Sequence, residues 1–331
     1  MKIFRIILFI LHLGLLFLLT GVLLNAYTPP KIFPWFNLLS LGFPLLVIGY
    51  ILLTFFWIFS WKKRAFVFMF LGLFFLNPVK RWINYSSESK ETANLKVLSY
   101  NMQGGKHGIN EIESYLKDQN ADLIFIQEYG ERELKFSNLS GKNSLPFIAL
   151  YSKHKILSSK SIFNDLKYGD ITAQCEQTDI EIRGKIYRVF NVHLESFGLV
   201  KSMVKLNGNG NEDEQKVKDV VKRLIPTFKA HQEQVNIIRE AIDNSPYPVI
   251  VAGDFNSVPN SYEYYETSKG LKDAFYEVGK GSSTSFHDYK YPLRIDYIFT
   301  SESIKPVTYK VDHSVNLSDH YSVIATFKID Y

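Results

Sequence analysis

Cysteine is almost absent from this sequence, in which Cys175 stands alone. A disulfide within the chain needs two cysteines, and a cysteine-based zinc site needs several thiolates, so both are excluded. A lone cysteine cannot form a disulfide within the chain in either an oxidising or a reducing compartment, so it does not indicate which compartment the protein occupies. Any metal chemistry must therefore use oxygen or imidazole ligands.

Acidic side chains are absent from the first 84 residues, which carry eight basic ones. The basic residues are Lys2, Arg5, Lys31, Lys62, Lys63, Arg64, Lys80 and Arg81. The whole chain has 38 basic and 33 acidic residues, so residues 85–331 hold 30 basic and 33 acidic ones, a net charge of −3. The overall charge of +5 thus reflects the N-terminal segment. Non-specific nucleic-acid binding, which depends on clustered Lys and Arg, loses its main support.

The N-terminal segment has long uncharged runs. Residues 6–24 are long enough to cross a bilayer core of about 30 Å, and a second uncharged run covers 36–61. A third run, 65–76, would span only if residues 79–83 continued its helix, with the basic side chains there reaching the headgroups. The pattern predicts two or three transmembrane helices in an N-terminal anchor.

The flanks of these runs predict the orientation of the anchor, residues 1–83. A cleaved signal peptide would explain the first run but not the second. Lys2 and Arg5 precede the first run and residues 62–64 follow the second, and such basic clusters belong in the cytoplasm. The basic pair after the third run argues for the opposite side. With three spans, we expect a multi-pass inner-membrane protein whose C-terminal domain lies on the non-cytoplasmic side.

A polar stretch, residues 84–94, is interpreted as a linker to a domain over 95–331. Strand and helix patterns alternate after it. Apolar runs rich in β-branched and aromatic residues predict strands over 95–100, 122–128, 147–152, 185–195, 248–255, 294–300 and 321–329. Helical spacing covers 109–119 and, broken at Pro226, 212–244. This order predicts an α/β sandwich with its sheets inside.

Six polar clusters lie at the ends of the predicted strands. They contain Asn101, Glu128, His193, Asp254 with Asn256, Asp296, and Asp319 with His320. Strand ends along one sheet edge converge on a single crevice, where several carboxylates would repel one another without a cation. Carboxylate and amide oxygens suit Mg²⁺ or Mn²⁺. Because imidazoles beside such an ion can stabilise a phosphoryl group, the pattern indicates hydrolysis of a phosphorus ester.

Each cluster, taken alone, also has a local structural interpretation. Asn101 could cap the turn before Gly104, and Glu128 could cap a following helix. His193 could be a hydrogen-bonded core histidine, since it lies within a strand. The GDFN segment could be an Asx turn, and Asp319 with His320 another cap. The occurrence of all six clusters, each after an apolar strand, favours one shared site.

In order along the chain, the motifs SYN, QE, NVHLES, GDFN, RIDYIF and SDHY resemble those of the endonuclease/exonuclease/phosphatase superfamily, over about residues 94–331. GDFN and SDHY in this order are highly specific, whereas SYN and QE are weak alone. The resemblance, to a membrane-anchored bacterial type, implies a four-layered α/β sandwich with two central, mostly antiparallel sheets after the transmembrane helices. It also implies a Mg²⁺-dependent phosphoesterase.

The resemblance further implies roles for the matched residues. Glu128 would be the principal metal ligand, with Asn101 and Asp319 beside it. Asp254 would orient or deprotonate the attacking water. Asn256 would bind the phosphate.

The histidines have implied roles as well. His320 would contact the scissile phosphate while Asp296 holds its other ring nitrogen. His193 matches a histidine that DNase-like and sphingomyelinase-like members use on the phosphate and that abasic-site enzymes lack there. A further tyrosine or acidic residue near the site, for which Tyr168 and Asp170 are the candidates, is not fixed by spacing.

Three functions compete. The first is a membrane-anchored phosphodiesterase or phosphatase acting on nucleic acid, a lipid head group or a small phosphoester. The second is an endonuclease or exonuclease acting on DNA or RNA, for which a local basic patch would be offered by Lys201, Lys205, Lys216, Lys218, Lys222 and Arg223. The third is a catalytically inactive, membrane-tethered binding module, disfavoured because every expected site residue is present. Segment 198–230, including a predicted mobile loop at 205–216, would cover the site and select the substrate.

Overall fold

The computed structural model describes residues 2–130, 134–142, 145–163, 166, 171–205, 207–288, 291 and 293–330. The helices are α1 (Lys2–Leu24), α2 (Trp35–Phe59), α3 (Arg64–Gly72), α4 (Leu76–Lys80), α5 (Ile109–Gln119), α6 (Lys201–Val204), α7 (Gly210–Asp243), α8 (Tyr262–Ser268) and α9 (Ala274–Val278). The strands are β1 (Ile83–Tyr85), β2 (Leu95–Asn101), β3 (Leu123–Gln127), β4 (Ser140–Lys142), β5 (Ile148–Ser152), β6 (Lys155–Ser161), β7 (Gln174–Ile182), β8 (Lys185–His193), β9 (Val249–Asp254), β10 (Leu271–Asp273), β11 (Lys280–Ser282), β12 (Asp296–Ser301), β13 (Lys305–Asp312) and β14 (Ser322–Lys328).

The first two helices, α1 and α2, are long and apolar enough to cross a membrane. Among the described residues, thirty exposed large hydrophobic side chains lie between Ile3 and Tyr85, against four in the rest of the chain. The third run forms α3, a 3₁₀ turn at Leu73–Phe75, and α4. The helix of this run does not continue through residues 79–83, the condition set for a third span, because it ends at Lys80 and the chain then turns into β1.

In the described part of the chain that follows α4, two six-stranded sheets have the orders β10-β12-β9-β8-β7-β6 and β13-β14-β2-β3-β5-β4, and β1 and β11 form a separate two-stranded sheet. Neighbouring strands are antiparallel except for the parallel pairs β8–β9 and β2–β3. The expected fold, an α/β sandwich with two central, mostly antiparallel sheets, is confirmed.

Apolar side chains on both faces of each sheet create four layers. Val97 and Phe125 from one sheet meet Val189 and Ile250 from the other in the central core. On the outer face of the sheet that contains β8 and β9, these two strands pack against α7. On the outer face of the other sheet, β2 and β3 pack against α5. Because the central strands are buried on both faces, they appear in the sequence as continuous apolar runs and not as alternating ones.

Three local predictions differ from the structure. Helix α7 runs through Pro226, and the prediction of a break there is wrong, because burial of Leu224 and Phe228 on either side offsets the hydrogen bond that proline removes. The same helix starts at Gly210, so the predicted mobile loop at 205–216 is largely helical. The interpreted linker, 84–94, begins inside β1, which pairs with β11.

Candidate active site

Strand register brings the predicted site residues together. On one sheet His193, Asp254 and Asp296 are direct neighbours across β8, β9 and β12. On the other sheet Asn101 is paired with Gln127 at the ends of the parallel strands β2 and β3, and Glu128 follows. Parallel strands end at the same edge, so the ends of β2, β3, β8 and β9, with the start of the antiparallel β12, supply one crevice.

Asn101 joins the two sheets. Its side-chain nitrogen donates to Glu128 Oε1 at 3.1 Å and to Asp254 Oδ2 at 3.0 Å. Its side-chain oxygen accepts the backbone N–H of Gln103 at 3.1 Å, so Asn101 also caps the local turn. Asn101 and Asp254 are buried, and a shared amide keeps the two carboxylates from facing each other unpaired.

His193 is held with one ring nitrogen facing the crevice. Nδ1 lies 2.7 Å from the backbone carbonyl of Thr172, an acceptor, so Nδ1 carries a proton. Nε2 lies 3.7 Å from Glu128 Oε1 and 4.0 Å from Asp254 Oδ2. Within the part of the chain that the structure describes, this buried Nε2 makes no hydrogen bond. It is therefore available to a group that enters the crevice.

His320 and Asp296 form the second imidazole–carboxylate pair. Asp296 Oδ2 lies 2.9 Å from His320 Nδ1, and His320 Nε2 lies 3.7 Å from Asp254 Oδ2. The ring of Phe286 packs edge-on against His320, with 5.0 Å between centroids. The carboxylate fixes which nitrogen of His320 faces the crevice.

Asp319 reaches the same edge through Gln103, a residue that the sequence interpretation missed. Gln103 Nε2 donates to Asp319 Oδ2 at 2.8 Å. The hydroxyl of Ser318 donates to the backbone carbonyl of Asn101 at 2.8 Å, which ties the loop before β14 to the end of β2. Two contacts thus connect Asp319 to the end of β2: Gln103, close after Asn101, binds Asp319, and Ser318, directly before Asp319, binds Asn101.

Asn256 stands at the far side of the crevice in a tight turn. Its backbone N–H donates to Asp254 Oδ1 at 2.8 Å, an Asx turn, and its φ is 45°. Its side-chain nitrogen donates to the backbone carbonyl of Leu194 at 3.0 Å. Glu128 and Gln103 also have positive φ values, 47° and 48°, so three non-glycine residues of this edge adopt a conformation that is uncommon for side-chain-bearing residues.

Burial and the neighbouring imidazoles set the charges of the two carboxylates. Burial alone would raise the pKa of Glu128, but His193 and the Asn101 amide outweigh it and lower that pKa to about 2. Burial dominates at Asp254 and raises its pKa to about 6, against the opposing charge of His320. Glu128 is therefore ionised throughout the physiological range, whereas Asp254 exchanges its proton close to neutrality.

Both histidines favour the protonated form. Burial acts to lower the pKa of His320, but Asp296 and Asp254 raise it to about 10. Burial also opposes protonation of His193, and the carboxylates of Glu128 and Asp254 nevertheless raise its pKa. The crevice thus presents positive charge beside its carboxylates, an arrangement suited to an anionic substrate.

Two groups of residues could hold a cation. Asp254, Asp296 and His320, all buried, have ligand atoms within 4.8 Å of one another. In that group both nitrogens of His320 already face carboxylates, and Mg²⁺ prefers oxygen ligands. The side chain of Glu128 is ionised and 38% exposed, and it lies beside the amide of Asn101, whose nitrogen faces the carboxylate and whose oxygen accepts the N–H of Gln103. That oxygen has a second lone pair, so carboxylate and amide oxygens at Glu128 fit a hard dication better than the His320 group does.

The segment after His193 forms α6 and α7, and α6 makes an ion pair with a loop beside the crevice. Lys201 Nζ lies 2.5 Å from Asp288 Oδ1, in the loop that carries Phe286. The candidates Tyr168 and Asp170 fall outside the described residues. Lys201 thus ties the beginning of segment 198–230 to the loop that contacts His320.

Comparison with known proteins gives a family and a fold. The model of the Endonuclease/Exonuclease/phosphatase family matches residues 98–320, a span that contains every predicted site residue. The model of a domain of unknown function matches residues 4–82. No curated protein matches the chain.

Solved structures share the fold at low sequence identity. D. rerio TDP2 complexed with single-strand DNA product has a TM-score of 0.51 at 16% identity, over 71% of this chain and 98% of that one. The human nocturnin catalytic domain with bound sulfate has a TM-score of 0.51 at 14% identity, over 71% and 94%. The Bacteroides thetaiotaomicron mannosyl-6-phosphatase has a TM-score of 0.51 at 17% identity, over 71% and 100%.

Proposed function

The chain belongs to the Endonuclease/Exonuclease/phosphatase family of metal-dependent phosphoester hydrolases, and from that premise we propose a membrane-anchored, Mg²⁺-dependent phosphoesterase that cleaves a phosphodiester or phosphomonoester. The observation that carries the proposal is the joining of Glu128 and Asp254 by Asn101, with His193 and His320 on either side. Carboxylates for metal and base, and imidazoles for the phosphate, are the groups that metal-assisted hydrolysis requires.

Asp254 is the base of the proposed reaction. With a pKa of about 6, its carboxyl is largely ionised at neutral pH yet basic enough to accept a proton from water. The hydrogen bonds from Asn101 and from the backbone of Asn256 fix its orientation. Water attacks phosphorus, Asp254 takes its proton, and the bond from phosphorus to the leaving oxygen breaks.

Three side chains stabilise the phosphoryl group during attack. His320, held by Asp296 and protonated at neutral pH, donates from Nε2. His193 offers the Nε2 that, among the described residues, is buried without a hydrogen bond. Asn256, kept in place by the carbonyl of Leu194, lies on the same edge. Fixed donors of this kind act without reorganisation when negative charge develops.

Glu128, Asn101 and Asp319 would hold the dication. When bound, Mg²⁺ supplies Lewis-acid polarisation of a phosphoryl oxygen and compensates the negative charge of the substrate. The ionised, partly exposed carboxylate of Glu128 supports its place as principal ligand. Mn²⁺ has the same preference for oxygen donors.

The proposed membrane anchor, residues 1–83, precedes a hydrolase domain over 95–331. The exposed apolar surface of α1 to α4 supports it. Asn25 after α1, Ser40 in α2 and Pro78 in α4 all contact Asn260, so these points lie on the domain side of the anchor. Helices α3 and α4, seventeen residues and about 25 Å long, return from residues 62–64 to the domain side, where Pro78 contacts Asn260, so this proposed crossing does not need the helix to continue through residues 79–83. Three crossings with basic residues 62–64 in the cytoplasm leave the domain outside.

The crevice of the proposed enzyme lies next to the anchor, so its substrate would bind close to the membrane surface. Tyr291, in the loop that carries Phe286, donates its hydroxyl to the backbone carbonyl of Leu41 in α2 at 3.1 Å. One wall of the crevice therefore rests on the anchor. A lipid head group or a small phosphoester near the bilayer fits this position, and the net charge of −3 over residues 85–331 disfavours non-specific DNA binding.

The test is hydrolysis by the full chain in detergent micelles, with and without Mg²⁺. The substrates are bis-p-nitrophenyl phosphate, plasmid DNA, sphingomyelin and inositol phosphates. Asp254→Ala and His320→Ala are expected to lower the rate roughly 10²-fold or more. Asp118→Ala, an exposed carboxylate on α5, is the matched control and should keep the wild-type rate.

Cleavage of DNA alone would favour the nuclease instead. Inactivity of the wild type on all four substrates would favour the binding module. Near-full activity of either site variant would contradict the proposed roles.

A further inference from the structure

The loop after the catalytic strand β9 is tied to α2, to α4 and to the residues that directly follow α1 and α4. The backbone carbonyl of Asn260 accepts from Asn25 Nδ2 at 3.0 Å and from Ser40 Oγ at 2.9 Å. The side chain of Asn260 donates to the carbonyl of Pro78 at 3.1 Å and accepts from Arg81 at 3.0 Å. Asn260 is fully buried and has a φ of 69°, so its conformation depends on these contacts.

A second connection runs from α2 into the domain through Asn37. Its side-chain nitrogen lies 2.9 and 2.8 Å from the two carboxylate oxygens of Glu263, and its oxygen accepts the backbone N–H of Tyr262 at 2.8 Å. Glu263 is completely buried, so no water replaces these donors. His231 Nδ1, 3.1 Å from Glu263 Oε1, is a further partner of the carboxylate.

His231 carries this connection to the end of β8. Its Nε2 lies 2.7 Å from the backbone carbonyl of Glu195. The preceding backbone carbonyl, that of Leu194, accepts a hydrogen bond from the side chain of Asn256. Leu194 and Glu195 are the two residues that directly follow His193. The polar network therefore starts in the anchor and ends where two strands present their catalytic side chains.

The network contacts one half of the active site. It reaches the loops after β8 and β9, which follow His193 and Asp254 directly and contain Asn256. The proposed metal ligands Asn101, Glu128 and Asp319 lie at the ends of strands of the other sheet. A change in the network should therefore disturb base and phosphate contacts more than metal binding.

We propose that Asn37, with Asn25 and Ser40, is a positioning residue of the reaction: the anchor sets the geometry of the two catalytic loops through buried hydrogen bonds. The proposal rests on the function proposed above. An apolar contact would hold the domain without fixing its register, whereas buried amide–carboxylate and amide–carbonyl bonds are satisfied in one arrangement.

The experiment compares Asn37→Leu with Lys31→Ala in the full chain in detergent micelles. Asn37→Leu removes two donors from Glu263. Lys31 Nζ forms an exposed ion pair with Glu233 Oε2, 3.2 Å apart, across the same interface, and such pairs contribute little. With bis-p-nitrophenyl phosphate and Mg²⁺, Asn37→Leu is expected to lower kcat roughly tenfold or more. KM and the Mg²⁺ concentration for half-maximal rate should stay close to the wild-type values. Lys31→Ala should keep the wild-type kcat, KM and Mg²⁺ requirement.

A second variant and a second readout separate positioning from folding. Ser40→Ala removes one hydroxyl, so it disturbs folding less than Asn37→Leu, and kcat per folded molecule should still fall. Hydrogen exchange measured by mass spectrometry should quicken in residues 194–197 and 256–261 of both variants. Lys31→Ala should leave exchange in these loops unchanged.

Wild-type kcat per folded molecule in both variants, with unchanged exchange in the two loops, would overturn the proposal. A lowered melting temperature with wild-type kcat would do the same, since it would make the network purely structural. If the wild type hydrolyses no phosphoester, the proposed function fails, and the exchange data alone decide whether the anchor positions the loops.

Discussion

Asn101 accepts the N–H of Gln103 with its oxygen and donates to two carboxylates with its nitrogen. Asp254 in the same way closes an Asx turn with one oxygen and faces the crevice with the other. The turn-cap and shared-site interpretations therefore hold together, because one side chain has atoms for both. Gln103 was not predictable, since its partner Asp319 lies 216 positions away and no local pattern relates them.

The pH dependence follows from two residues. Asp254 must be ionised to accept a proton, so the rate is expected to fall as pH drops through about 6. His320 must be protonated to donate, so the rate should fall again above about 10. The pH–rate profile of the wild type with Mg²⁺ checks this.

His320→Gln is the control for the alkaline limb of the pH–rate profile. The residual activity of this variant should show no fall in rate above about pH 10. The raised pKa of His320 also makes its protonated form a source of stability, complete below about 6.5 and lost toward 10. A rate that is constant between pH 5 and 8 would contradict the role of Asp254.

At the scale of elements, helix α5 was predicted with its observed bounds, and the central strands within one or two residues. Both follow from local signals: helical spacing in one case, continuous apolar runs in the other. The pairing of strands was not predictable, because β9 lies between β8 and β12 through contacts that sequence distance conceals. The continuity of α7 through Pro226 depends likewise on packing against the sheet.

Gly253 tests the parallel pairing of β8 with β9. A Cβ at this position would lie 1.9 Å from the backbone carbonyl oxygen of Val192, and φ is 147°. Because backbone cannot move aside as a flexible side chain does, Gly253→Ala is expected to prevent stable folding. Thermal unfolding followed by circular dichroism measures this.

Gly184→Ala is the matched control, since Gly184 has a φ of 80° but no heavy atom lies within 4 Å of the place that an alanine methyl group would take. Its cost should be limited to about 1–2 kcal/mol of backbone strain. Equal melting temperatures for the two variants would show that β8 and β9 do not approach as described.

At the scale of the whole molecule, charge and hydropathy were enough to separate an apolar N-terminal segment from an α/β domain. They were not enough to show that the two are joined by buried polar contacts. Asn25, Asn37 and Ser40 appear in the sequence as ordinary polar residues at helix ends, and their partners lie more than 200 positions away. The close attachment of anchor and domain therefore required the structure.

Topology is the prediction at this scale. Three crossings put the C-terminus on the non-cytoplasmic side, so a phosphatase reporter fused after Tyr331 should be active and a cytoplasmic fluorescent reporter dark. The same two reporters fused after Lys62 should give the reverse pattern. A fluorescent cytoplasmic reporter at the C-terminus would remove the three-crossing arrangement.

The central claim is that a hard dication bound by Glu128 acts in hydrolysis together with the base Asp254 and the two site histidines. The most direct measurement is the Mg²⁺ dependence of hydrolysis of bis-p-nitrophenyl phosphate by the full chain and by Glu128→Gln. EDTA should abolish wild-type activity and Mg²⁺ restore it, while Glu128→Gln should need on the order of tenfold more Mg²⁺ or stay inactive. Undiminished hydrolysis in EDTA, or an unchanged Mg²⁺ requirement in Glu128→Gln, would contradict it.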